Sequence, residues 1–107
     1  MIKINIALDF SDTPGPRYSK DGEYSGEEFR ESILKEKFSE ALKLKEKLEI
    51  NLDGGYGYPT SFLEESFGGL ARQFGIDAVL NTLEFVSTEE PSLINKIIDY
   101  IKKANQK

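Results

Sequence analysis

From Ile2 to Leu8 the chain alternates apolar and polar side chains, Ile-Lys-Ile-Asn-Ile-Ala-Leu. A period of two belongs to a strand with one face buried. The same period returns in Leu48-Glu49-Ile50-Asn51-Leu52 and, more briefly, in Leu83-Glu84-Phe85-Val86, so three strands are predicted. Between them the period lengthens to that of a helix. Phe29, Ile33 and Leu34 share one face, and Phe38, Ala41 and Leu42 continue it. Ser25 with Glu28 fits a capping box at the start of that helix. Its end is expected near residue 42, followed by a charged connection to Lys47. A second helix is predicted from Ser61 to Phe74, with Phe62, Leu63, Phe67, Leu70 and Phe74 buried and Gly75 as its stop. Residues 76–81 fit a short helix. A last helix takes Pro91 into its first turn and buries Leu93, Ile94, Ile97, Ile98 and Ile101.

Two segments break this regularity. Residues 9–24 contain Pro14, Gly15, Pro16 and Gly22 and read as a long loop with room for an extra edge strand. Gly68 and Gly69 fall inside the second helix, where each costs about 1 kcal/mol relative to alanine. Together they predict close packing on the sheet or a bend. The order β-α-β-α-β-α implies an α/β fold: three to four strands, mostly parallel, joined by right-handed crossovers with helices packed on the sheet. A length of 107 residues is expected to form one domain over 1–107.

Composition narrows the chemistry. There is no cysteine and no histidine. Disulfides, thiol nucleophiles, the Ser-His-Asp triad and the usual zinc ligands are therefore excluded. No specific catalytic constellation, metal site or cofactor site is expected, and the chain reads as a non-enzyme. Nineteen acidic residues against fourteen basic ones leave a net charge of -5, which disfavours nucleic acid and anionic membranes as partners. Gly54-Gly55-Tyr56-Gly57-Tyr58 is glycine-rich but lacks the Gly-Lys-Ser/Thr ending of a P-loop. No apolar run approaches the ~20 residues that span a bilayer, and no apolar leader follows Met1. A cytoplasmic location is expected.

Ser61 is the most informative position. It lies where a strand, a glycine-rich turn and a helix start meet, in Asp53-Gly54-Gly55-Tyr56-Gly57-Tyr58-Pro59-Thr60-Ser61-Phe62-Leu63-Glu64. Backbone N–H groups point outward there and the helix dipole is positive, which suits a phosphate or a phosphorylated serine. The same spacing, Ser61 to Glu64, also fits a plain capping box. Tyr56 and Tyr58 on the preceding turn suit a protein interface or fold onto the core rim. Arg17 is expected to pair with Asp21 or Glu28, or to hold a partner's carboxylate or phosphate. Asp9 and Asp53 each follow a predicted strand, with Asp12 nearby. That edge of an α/β sheet recurs in phosphoryl chemistry, so a receiver-like phosphoacceptor at Asp53 is an alternative.

The stretch Pro14-Gly15-Pro16-Arg17-Tyr18, then Asp21-Gly22, then Ser25-Gly26-Glu27-Glu28-Phe29-Arg30, resembles the amino-terminal pattern of the STAS-like domain family of unknown function. Ser61-Phe62-Leu63-Glu64-Glu65-Ser66-Phe67-Gly68-Gly69-Leu70 supplies a second motif, and the likeness runs over nearly the whole chain. That family is similar to the anti-sigma-factor antagonists. In those proteins an Asp-Ser-Ser-Gly-Leu motif follows a strand, and a partner kinase phosphorylates the serine at the helix start. Pro59-Thr60-Ser61-Phe62-Leu63 stands in that place here, with Ser61 matching the serine, Leu63 the leucine and Thr60 a preceding hydroxyl. The resemblance implies a small STAS-like regulatory or docking module, bacterial or phage in setting. Its partner would be a histidine-kinase-like ATPase or an anti-sigma-type kinase. Candidate partner-binding residues are Arg17, Tyr18, Tyr56, Tyr58, Thr60, Ser61 and Glu64, with Ser61 the candidate phosphorylation site. A small acidic phage or accessory protein that binds and inhibits another protein is the other alternative.

Overall fold

The computed structural model describes residues 2–104; Met1 and residues 105–107, part of the expected domain, lie outside them. Three parallel strands, β1 (Ile2–Asn5), β2 (Leu48–Asn51) and β3 (Leu83–Val86), form one sheet in the order β1-β2-β3. Ile4, Ile50 and Phe85 stand in register, as do Ile2, Leu48 and Leu83. These six residues make the apolar face. Lys3, Glu49 and Glu84 are in register on the opposite, polar face. Alternation along each strand dictates this two-sidedness. The long loop adds no fourth strand among the described residues. Its backbone groups bond elsewhere, with the Gly15 N–H donating to Tyr24 O and the N–H groups of Gly26 and Glu27 donating to Pro16 O and Arg17 O.

The first strand is shorter than the 2–8 alternation predicts. Asn5 ends it by capping a helical turn, α1 (Ile6–Asp9), its side-chain oxygen accepting from the Leu8 N–H at 3.1 Å. Asparagine is a preferred N-cap, and here local capping outweighs the strand period. Ile6 stays buried, but Leu8 is 84% exposed.

Residues 26–44 form the first long helix: α2 (Gly26–Phe29), a π turn (Arg30–Leu34) and α3 (Lys35–Leu44). Residues 60–74 form the second: α4 (Thr60–Leu63), a π turn (Glu64–Gly68) and α5 (Gly69–Phe74). The π turns explain the apolar spacing. Five residues along an α-helix carry a side chain about 140° round the axis, yet Phe29 and Leu34 are both fully buried, as are Phe62 and Phe67. A wider turn returns both members of each pair to the same face. Helix α6 (Ile76–Thr82) and helix α7 (Ser92–Lys102) follow, and α7 buries Leu93, Ile97 and Ile101. No helix among the described residues is long and apolar enough to cross a membrane.

One core joins these parts. Phe10, Phe29, Phe62 and Phe67 form a chain of rings with centroids 5.2–6.3 Å apart. The two long helices meet closely at Gly26, where a Cβ would come within 2.7 Å of Phe62 O. The first long helix ends in a Schellman motif: the Glu46 N–H donates to Ala41 O and the Lys45 N–H to Leu42 O. The position that usually holds glycine carries Lys45, at φ +56°.

Candidate functional site

The carboxyl ends of the three strands open onto three turns, and the chain binds these turns to one another. The Tyr56 N–H donates to Asp12 O at 2.9 Å, joining the loop after β2 to the chain after β1. Asp53 ties the same loop to the turn after β3. One carboxylate oxygen accepts from the Glu89 N–H at 2.9 Å, and the other from the Thr88 hydroxyl and N–H at 2.6 and 3.1 Å. Those bonds, the Glu89 N–H first and the Thr88 hydroxyl next, hold the Asp53 carboxyl below its usual range. In return the Glu89 carboxylate accepts from the Gly54 N–H at 2.8 Å. Both Asp53 oxygens thus anchor a turn, which leaves little for the phosphoacceptor alternative. Among the described residues no group of three acidic side chains is placed to hold a metal ion. A cavity of about 120 Å³ between the two loops is rimmed by Asp53, Tyr58, Glu89 and Glu90, and its carboxylates disfavour phosphate-bearing ligands.

On this fixed edge two apolar side chains point outward. Leu8 is 84% exposed and Tyr56 86% exposed. They rise from turns in contact, since a Cβ on Gly54 would lie 3.5 Å from the Ala7 Cβ. Tyr58 behaves differently. Its hydroxyl donates to Leu52 O at 2.8 Å and its ring packs against Phe62. Burial, then the negative charges of Asp53 and Glu89, push its phenol up to about 12. Of the two tyrosines expected on this loop, Tyr56 is presented and Tyr58 is folded onto the core rim.

Ser61 is half-buried and is the second residue of the helix, not its cap. Pro59 holds the cap position and no side chain caps this end. The expected capping box of Ser61 with Glu64 does not form, because Ser61 lies inside the helix and the cap position falls to Pro59, which has no capping side chain. Leu63 is the first residue of this helix whose N–H bonds back along the chain, to Pro59 O at 3.2 Å, so the N–H groups of Thr60, Ser61 and Phe62 lie at the open end of the helix. The first long helix contrasts with this: Ser25 Oγ accepts from the Glu28 N–H at 3.0 Å, and loop carbonyls take the two N–H groups before it. Thr60 is exposed beside Ser61.

Behind this edge lies a charge cluster that sequence reasoning did not assemble. Arg17 bonds the carboxylates of Glu64 and, at 3.3 Å, Glu65, not Asp21 or Glu28 as expected. Arg72 also bonds Glu64, at 2.8 Å. Arg30 bonds Glu65, and both side chains are about nine-tenths buried. The hydrogen bond to Glu64 raises the Arg17 pKa against the cost of burial; for Arg30 burial opposes ionisation, and its bonds to Glu65 and Glu31 outweigh it. Arg30 also fills a backbone vacancy. In the second π turn the Gly69 N–H reaches back five residues to Glu64 O. The Glu65 carbonyl, which an α-helix would pair with Gly69, instead accepts from Arg30 Nη1 at 2.9 Å. Gly69 makes room, since a Cβ there would lie 2.4 Å from that nitrogen. Arg30 and Glu65 entered the sequence reading only as members of the two motifs and Arg72 not at all, because spacing along one helix does not show which charge on another lies opposite it. Tyr18 stands apart, exposed at the loop surface under the Lys20 ammonium.

No curated protein and no solved structure matches the chain. A family model, described as "STAS-like domain of unknown function (DUF4325)", matches residues 25–93. The match begins beyond the 14–18 turn and includes the 25–30 helix start, the second motif at 61–70 and all of β2 and β3. The three parallel strands with helices on one face agree with a small fold of this kind, and with well over half of its length matched the chain belongs to this family of STAS-like domains.

Proposed function

We propose that the domain is a non-catalytic docking module of a regulatory system, and that it binds a protein partner through the carboxyl edge of its sheet. The observation that carries this reading is the outward pair Leu8 and Tyr56 on turns held together by hydrogen bonds. A large apolar side chain on a fixed turn loses little entropy on binding, which favours an anchor role. Thr60 and Ser61 begin the helix that leaves this edge. A phosphoryl group on Ser61 would add about two negative charges at a helix start that no side chain caps. It would also face Glu64 one turn on. The added charge acts as a gate by repelling an acidic partner surface. Kinship with anti-sigma-factor antagonists supports a histidine-kinase-like ATPase or an anti-sigma-type kinase as that partner.

The test is calorimetric binding to a purified histidine-kinase-like ATPase from the same organism, followed by intact-mass measurement after addition of ATP. Tyr56→Ala is expected to weaken binding by about tenfold or more. Ser61→Asp should weaken it while Ser61→Ala leaves it unchanged, and ATP should add one phosphoryl group that Ser61→Ala abolishes. Wild-type binding by Tyr56→Ala overturns the docking edge. Equal binding by the two Ser61 variants overturns the gate.

A further inference from the structure

The opposite end of the molecule, where the strands begin, carries a second surface. A groove of about 270 Å³ runs between the end of the first long helix and the end of α6, lined by Ala41, Leu42, Lys45, Lys47, Asn81 and Thr82. Leu42 is 41% exposed, and Leu44 beside it in the chain is 53% exposed. The Lys47 ammonium bonds Asn81 O and closes one side of the groove. One carboxylate, Glu46, also lines it, but residues 42–47 hold three lysines against that single glutamate. On a chain of net charge -5 this is a local reversal of sign. Lys43 and Lys45 make no ion pair among the described residues.

The backbone supplies an independent observation. Lys45 occupies the left-handed position of the Schellman motif, φ +56°, where glycine fits without strain. A strained residue at the lip of a groove is a pointer to a role for its side chain. We infer that this groove docks an acidic amphipathic segment of a partner protein, its apolar side chains against Leu42 and its carboxylates on Lys45 at the groove and on Lys43 beyond its rim. Charge complementarity selects that occupant over a basic one, and the exposed Leu42 in the groove selects an amphipathic segment over a merely acidic one. The surface is distinct from the Leu8–Tyr56 edge, so either can fail without the other.

The experiment is a nuclear magnetic resonance titration of the full chain with a helical peptide of leucine and glutamate, and with its counterpart carrying lysine for glutamate. The acidic peptide is expected to shift the amides of residues 41–47 and of Asn81 and Thr82, and to leave Leu8 and Tyr56 unmoved. Lys43→Glu with Lys45→Glu should weaken it by about tenfold or more. Lys45→Gly is the second variant: it should raise the thermal midpoint, by relieving the left-handed lysine, and yet weaken the peptide severalfold. Equal binding of both peptides, shifts at the other end, or Lys45→Gly binding as tightly as wild type would overturn the inference. So would a chain whose groove residues shift with its own concentration, because a second copy would then be the occupant.

Discussion

Tyr58 and Asp53 show how single side chains hold the carboxyl edge of the sheet, and each has a pH signature. Burial favours the neutral Tyr58 phenol, so the folded chain keeps this proton longer than the unfolded one. Stability therefore falls as pH rises from about 10, the ordinary tyrosine value, to about 12. In a phenolate absorbance titration one of the five tyrosines should ionise late, and Tyr58→Phe should remove that component. The same substitution leaves Leu52 O without its donor, at a cost of about 1 kcal/mol by urea unfolding. Asp53 has the opposite sign. Its folded pKa is lowered, so its contribution is present above the unfolded pKa and is lost as pH falls through the folded one. Hydrogen exchange should show the Thr88 and Glu89 amides protected at neutral pH and opened in acid or by Asp53→Ala.

The two long helices are informative as elements because each contains a π turn and the turns face one another. Arg30 in the first pairs with both the carboxylate and the carbonyl of Glu65 in the second. Removing one partner of a largely buried pair leaves an uncompensated charge. Arg30→Ala should therefore lower stability by about 3 kcal/mol in denaturant unfolding. Gly26→Ala should cost about 2 kcal/mol, because the new methyl meets the Phe62 carbonyl, a backbone atom with little freedom to move. Periodicity had located both helices to within two residues, yet it could not reveal the π turns. Phe29 and Phe62 were recognised as buried, but a five-residue interval also fits two separate faces of an ordinary helix. Only the opposing helix decides which.

For the molecule as a whole, the sheet divides two surfaces of different character. The carboxyl edge carries Leu8 and Tyr56, and the other end carries the lysine-lined groove. Leu8→Ser with Tyr56→Ser should change unfolding free energy by no more than about 0.5 kcal/mol, since both side chains are largely exposed, while partner binding is lost. The pairing of a neutral effect on stability with a large effect on binding separates a docking role from a packing role. Tyr56 was among the candidate residues read from sequence. Leu8 was not, because alternation assigned it to a strand, and an Asn5 cap turned it outward instead.

The three strand segments and the helical segments between them follow from spacing within short stretches, because a period of two or of nearly four is a local property of the backbone, and their alternation along the chain implies the parallel order. The partners of Arg17, the vacancy filled by Arg30, the inward turn of Tyr58 and the uncapped start at Thr60 are of another kind. Each depends on which groups from distant parts of the chain lie opposite one another. A charged or aromatic side chain has many permissible partners along a sequence, and folding leaves it one.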